Sequence, residues 1–287
     1  MEIDVGEVAL HVDADGAEDA PPVVFLHGVA GSSAAYRWLP AEITSGRRIL
    51  RVDLRSHGRS GHAPGTYDID RYGADVAEVV RRVAGRPVVL VGHSLGGVTA
   101  WWVAQRHPEL VVAALLEDPP MYMGEPAEHE RNEIARLAPL VRDQAAAWQR
   151  AGTSVAEVTE TIAAAPFGPD PSLRTRDALH DDAVAELAES LLSMDPEVLT
   201  SAGDRSTLAA TDVASPVAVP VVILAADDAL GAAFPAAHER RLAETHPAVE
   251  VVRVRGAGHG IHAERAGRAT YVAHLAEFLR RHAGAAG

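Results

Sequence analysis

With 287 residues, 47% of them hydrophobic, the chain is long enough for one α/β domain carrying an insertion, and no apolar run reaches the roughly 18 residues that a membrane-spanning helix needs. Forty acidic side chains against 26 basic ones, all of them Arg, leave a formal charge of -14 and no basic block to track a phosphate backbone, which argues against a nucleic-acid partner. The absence of Cys removes disulfides, thiolate metal sites and a cysteine nucleophile, and fits a reducing cytoplasm.

The acidic, alternating start MEIDVGEVALHVDADG lacks the basic end and long apolar stretch of a signal peptide and is expected to be a first strand. Short apolar runs ending in turn residues then alternate with segments of helical period, the pattern of a mostly parallel sheet covered on both faces. The runs are Val23 to His27, RRILRV leading to Asp53, Val88 to Gly92, and VVAALLED leading to Asp118. Two more come late, VVILAAD after Pro220 and VEVVRVRG from Val249, before a closing helix through Tyr271, Leu275 and Phe278. Between the groups the strand runs stop, and helical spacing takes over, as in Val184, Leu187, Leu191 and Leu192. Residues 121–216 are therefore expected to form a helical cap of about four helices, broken near Gly152, Pro166 and Pro196, and residues 1–120 with 217–287 the core. Because the insertion follows a strand's carboxyl end, it is expected to hang over the ligand crevice as a lid.

The segment VVLVGHSLGGVTAWW holds G-x-S-x-G as Gly92, His93, Ser94, Leu95 and Gly96, directly after an apolar run and before an amphipathic helix. That context is what a nucleophile elbow requires: the serine needs a strained turn with positive φ, and the glycines let strand and helix approach without Cβ clashes. The hydroxyl is then presented at a helix N-terminus, where free N–H groups favour a developing negative charge. Ser94 is read as the nucleophile, and Leu95, the residue after it, as one oxyanion donor through its backbone N–H.

With FLHGVAGSS at 25–33, VDLRSHGRS at 52–60, GHSLGG at 92–97 and GAGHGIHAE at 256–264, the chain resembles the α/β-hydrolase superfamily over nearly its whole length, in the sub-group of small bacterial esterases, lactonases and cofactor-free haloperoxidases. The cap is the stretch that the resemblance does not specify. A Ser at position 94 separates the chain from the branches of that superfamily that carry Asp there, the dehalogenases and epoxide hydrolases. The resemblance implies a second oxyanion donor in the turn after His27 and Gly28, at Val29 or its neighbour Ala30. His27 itself reads as a loop support, as do His57 and His93.

A serine hydroxyl is almost unionised at neutral pH, so a histidine must take its proton and return it to the leaving group. Among 14 histidines, His259 follows a strand in a Gly-flanked loop before the last helix, which is where the family order places the base. His262, three residues on, is read as structural or pocket-lining. The carboxylate partner is open between two strand ends: Asp227, with Asp228 beside it, and Asp118, with Glu117 beside it. Chain order and strand position favour Asp227, while the two prolines after Asp118 restrict its backbone in a way that could equally fix a catalytic group. Asp53 is expected to bond the turn that follows it.

Met121, Tyr122 and Met123 leave the sheet above the presumed site and are the candidates for an apolar substrate pocket. No phosphate loop, dinucleotide fingerprint or clustered metal-ligand pattern is present, so no cofactor or metal is implied. The expected activity is hydrolysis of a small or medium carboxylic ester or lactone through an acyl-enzyme, with a small molecule as partner. The same site could serve C–C bond hydrolysis, cofactor-free peroxidation or lactonisation, or a catalytically silent fold could bind a small molecule. The oligomeric state is not legible.

Overall fold

A computed structural model describes residues 1–168 and 170–283. Eight strands make one sheet: β1 (Glu2–Asp4), β2 (Ala9–Asp15), β3 (Pro22–Leu26), β4 (Arg48–Val52), β5 (Val88–His93) and β6 (Val111–Glu117), then, beyond an insertion holding a two-stranded ribbon of β7 (Pro166–Phe167) and β8 (Asp170–Arg174), β9 (Val221–Ala225) and β10 (Glu250–Arg253). Their spatial order is β1-β2-β4-β3-β5-β6-β9-β10, parallel throughout except where β2 pairs antiparallel with β1 and β4.

Alternation of side chains along a strand divides the core into two layers. Val24, Leu26 and Leu90 point to one face, where they pack with Tyr72, Val76, Val98 and Trp101. Val23, Phe25, Val89 and Val91 point to the other, against Ile43, Tyr271, Leu275 and Phe278. Both faces of the central strands are covered, so their sequences read as continuous apolar runs rather than as alternating ones. Helices α1 (Ala41–Thr44), α2 (Ile69–Val79) and α3 (Leu95–Arg106) follow the early strands.

The insertion between β6 and β9 carries α4 (Pro126–Arg131), α5 (Glu133–Ala151), α6 (Val155–Ala164), α7 (Thr175–Ala178), α8 (Asp181–Ser193) and α9 (Glu197–Gly203). It is more finely divided than the four expected helices, and its ribbon was not foreseen, because two strands this short carry no periodicity. The insertion has a small core of its own, Ala138, Ala145, Leu191, Met194 and Leu199, which closes on Ala30 of the loop after β3. It is also stitched to the loop after β10: Leu179 bridges Glu264, and the His180 N–H donates to the Ala263 carbonyl at 3.0 Å. Two last helices, α10 (Ala236–Thr245) and α11 (Arg268–His282), complete the fold. No helix among the described residues is long and apolar enough to cross a membrane.

The turn from β5 into α3 is tightly constrained. Ser94 sits there at φ 51° and ψ -116°, a region that L side chains rarely adopt. Only glycine fits beside it: a Cβ on Gly92 would lie 2.2 Å from the Gly96 carbonyl oxygen, and one on Gly96 would lie 2.2 Å from that of Leu26. The fully buried aliphatic side chains on both sides, each contributing roughly 1.5–3 kcal/mol, hold strand and helix so firmly that a strain of about 1–3 kcal/mol in one residue persists. Ser94→Gly should consequently unfold at higher urea than Ser94→Ala, by about 1 kcal/mol, although glycine loosens the unfolded chain. Equal midpoints, or a more stable alanine variant, would show that no strain is stored at this turn.

Candidate active site

The loop after β3 lies directly against this turn, since a Cβ on Gly28 would come within 3.1 Å of Ser94 Cβ and 2.7 Å of His93 Nδ1. His27 braces the loop from below: its Nδ1–H donates to the Gly28 carbonyl at 2.8 Å and its Nε2 accepts the Leu54 N–H at 3.0 Å. Burial lowers the pKa of His27 and keeps the ring neutral, as that pair of bonds requires. Asp53 fastens the next stretch, accepting the N–H of Ser33 at 2.6 Å and that of Arg59 in the turn that follows at 3.0 Å. His57, pushed down to about 3 by burial, donates to the Arg55 carbonyl. With the loop so held, Val29 and Leu95 both border the crevice over Ser94. The Leu95 N–H is free of helix bonding because it is the first residue of α3.

The carboxylate that reaches His259 is Asp118, not Asp227. Asp118 Oδ2 lies 2.7 Å from His259 Nδ1. The same carboxylate accepts the N–H of Ala233 at 2.7 Å, and those of Ala226 and Phe234 at 3.1 Å each, so both oxygens are fully occupied with the side chain at 0% exposure. A φ of 41° at Asp118, just past the end of β6, swings the group across the end of β9 to where these donors converge. Asp227 has other work. It caps the turn that follows by accepting the Ala229 N–H at 3.1 Å and holds the Gly256 N–H at 2.9 Å. Asp228 bonds the N–H of Ala236 and the guanidinium of Arg253. The strand end favoured by chain order thus supplies backbone donors to Asp118 rather than the carboxylate partner of His259.

A second pair lies beside the first. Glu117 accepts both the backbone N–H of His262, at 2.8 Å, and its Nδ1–H, at 2.8 Å, inside the fold. The Glu117 carbonyl also accepts the Ser94 N–H at 2.9 Å. Adjacent acids Glu117 and Asp118 therefore match two histidines three residues apart, a reciprocal pattern visible in LLED and GHGIH once both segments are seen together. His93, held neutral at a pKa of about 3 by burial, bonds the His259 carbonyl through Nε2 at 3.1 Å, and its ring centroid lies 4.8 Å from that of His259. His93, Glu117 and His262 have ligand-type atoms within 4.8 Å of one another, but their hydrogen bonds already account for the arrangement.

Electrostatically, burial pushes His259 down, and the hydrogen bond and charge of Asp118, helped by Glu117 and Glu264, outweigh it, so its pKa lies above the ordinary histidine value. Burial pushes Asp118 up, while His259 and the N–H groups of Ala233 and Ala226 bring it below the usual carboxylate range. The His259 side chain is 23% exposed, so one face stays open.

Of the three expected pocket residues, Met123 alone borders the crevice with Ser94. Met121 and Tyr122 are turned away, into a separate depression with Glu125 and Arg241, where the Arg241 guanidinium stacks 4.1 Å from the Tyr122 ring centre. The crevice, partly open to solvent, offers about 20 Å³ and is walled by Pro120, Met123, Ala202 and Leu208. A cavity of about 620 Å³ borders His259, and one of about 170 Å³ lies between the loop after β3 and α8. Sequence reasoning missed Glu186 of α8. Its carboxyl accepts the N–H and hydroxyl of Ser32 and the hydroxyl of Ser190, and burial raises its pKa.

A family model described as the alpha/beta hydrolase fold matches residues 21–266. Among curated relatives, the sn-1-specific diacylglycerol lipase ABHD11 of Mus musculus is 37% identical over 106 residues, 36% of this chain and 34% of that protein. The 2-(acetamidomethylene)succinate hydrolase of Mesorhizobium japonicum is 31% identical over 116 residues, 40% of this chain and 41% of the relative. The matched stretch thus spans between a third and about two-fifths of these relatives. Solved structures agree over far more of the chain. E-2-(acetamidomethylene)succinate hydrolase superposes with a TM-score of 0.72 at 24% identity over 97% of this chain and 98% of the other, and the enol-lactonase from Burkholderia xenovorans LB400 with 0.70 at 20% identity over 97% and 99%. These likenesses establish the fold.

Titration of His259 by proton NMR, assigned through His259→Gln, should give a pKa above 6.5. In Asp118→Asn the value should fall, because burial is then opposed only by the weaker effects of Glu117 and Glu264, whereas in Asp227→Asn it should stay. A His259 pKa insensitive to Asp118 and lowered by Asp227→Asn would reverse the pairing.

Proposed function

We propose that this chain, which belongs to the alpha/beta hydrolase family, is a serine hydrolase acting on carboxylic esters or lactones through an acyl-enzyme. The observation that carries this reading is the bond from Asp118 to His259, in a loop whose carbonyl is tied to the residue before Ser94. An acid fixed on Nδ1 selects the tautomer with a free Nε2, and so makes the ring a base rather than a support. His27 and His93 show the contrast, since their bonds go to backbone and burial keeps them neutral.

The chemistry follows from that tautomer. Neutral His259 accepts the Ser94 proton on Nε2 as Oγ attacks the carbonyl carbon, and the carbonyl oxygen gains charge against the N–H groups of Val29 and Leu95. Collapse breaks the bond to the leaving oxygen, which takes the proton back from the imidazolium. Water, deprotonated by His259, then attacks the acyl carbon, and Ser94 leaves with the proton returned to it. Asp118 stays ionised throughout and stabilises the imidazolium, consistent with its lowered pKa. Every bond made or broken in this sequence involves Ser94, His259, substrate and water. The names of relatives, among them a lipase and an enol-lactonase, fit acyl transfer as the shared chemistry.

Mixing the protein with p-nitrophenyl acetate should release a burst of nitrophenol stoichiometric with active sites, and Ser94→Ala should abolish it while the far-UV spectrum is unchanged. Steady-state kcat should fall by at least about a thousandfold in that variant. Retention of more than roughly a tenth of the activity would remove Ser94 from the reaction.

A further inference from the structure

The serine-hydrolase reading gives each cavity around Ser94 and His259 a side of the scissile bond. The carbonyl oxygen must face the N–H groups of Val29 and Leu95, and the leaving oxygen must face the imidazole that protonates it. The acyl chain then runs into the crevice shared by Ser94, Val29 and Leu95, and the leaving group lies on the side that His259 borders.

The two sides differ sharply in size. The acyl crevice, at about 20 Å³, has room for about one water molecule, which is close to the size of a methyl group. Its walls come from the elbow side (Pro120, Met123) and from the insertion (Ala202, Leu208). The side bordered by His259 opens to about 620 Å³ and is lined by Phe167, Leu173, Leu179 and Leu230, of which Leu173 and Leu230 are each 38% exposed. Large apolar side chains left open in a cavity suit an apolar group of matching size.

Charge divides possible substrates further. Among the described residues, no charged side chain borders the acyl crevice. On the leaving-group side the cation among the described residues is Arg265, already paired with Asp181 at 2.5 Å, and it stands with Asp177 and Glu264. The third cavity, against the loop after β3, adds Asp182 and Glu186 and no Arg. A carboxylate on the acyl group would lose its water and meet no cation.

We propose that the substrate is a neutral ester joining a short acyl group, of two or three carbons, to a bulky apolar alcohol, and that esters carrying a carboxylate on the acyl side are excluded. This assignment rests on the serine-hydrolase reading, so the test separates the two. Values of kcat/KM are compared for 1-naphthyl acetate, 1-naphthyl octanoate, mono-1-naphthyl succinate and phenyl acetate, and Ser94 is independently labelled with a fluorophosphonate.

The acetate should exceed the octanoate by roughly tenfold or more and the succinate monoester by a larger factor, and naphthyl should exceed phenyl acetate. Leu208→Ala should narrow the gap between acetate and octanoate by opening the acyl wall. Octanoate turned over as well as acetate, or a succinate monoester within about threefold of it, would overturn the substrate assignment while labelled Ser94 left the hydrolase reading standing. Labelled enzyme that cleaves none of these esters would also overturn it. An unlabelled Ser94 with no turnover would remove both.

Discussion

The hydrogen bond between Asp118 and His259 is the constraint on which the rest of the site depends, because with the other bonds of the same carboxylate it joins three separate segments at one buried point. A carboxylate at 0% exposure is costly unless every lone pair is answered, and here four donors answer it: His259 and the N–H groups of Ala226, Ala233 and Phe234. Removing any one of them leaves a buried acceptor short, so the end of β6, the loop after β9 and the loop after β10 are held in a fixed mutual position. The positive φ at Asp118 is the local cost of that arrangement, and Pro119 and Pro120 help to keep the chain there.

The neighbouring residue extends the same logic to Ser94. Glu117 anchors the loop of His259 through His262, and its carbonyl anchors the elbow through the Ser94 N–H. The carboxyl end of β6 is therefore a common base for Ser94 and His259, although neither lies on that strand. Pre-organisation of this kind matters for catalysis because misplacement by about 1 Å can cost two orders of magnitude in rate. The insertion adds a third attachment, from Glu186 to Ser32 and from Leu179 to Glu264, so it is fixed to the same two loops that hold Val29 and His259.

How much of this was legible in the sequence follows from the range of each cause. The central strands were readable because burial on both faces makes them apolar runs, a property of the segment itself. The elbow was readable because the need for Gly92 and Gly96 is set by atoms within a few residues or on the adjoining strand. The carboxylate partner of His259 was not, because what selects Asp118 over Asp227 is the convergence of three backbone N–H groups more than a hundred residues away. Nor was the direction of Met121 and Tyr122, where one turn of backbone decides between the crevice and the far side. The ribbon of the insertion is too short to have a period. Glu186 reads as an ordinary helix-surface acid until the packing of α8 against the loop after β3 is known.

On the proposed mechanism Asp118 is the acid, and the site is built around it. Side-by-side kcat values for Asp118→Asn and Asp227→Asn on one activated ester give the most direct measurement. The first should fall by about a thousandfold or more, because the amide can donate to the ring and stabilise the wrong tautomer, and the second should change by less than about threefold. A severe loss confined to Asp227→Asn, with Asp118→Asn near wild type, would contradict it.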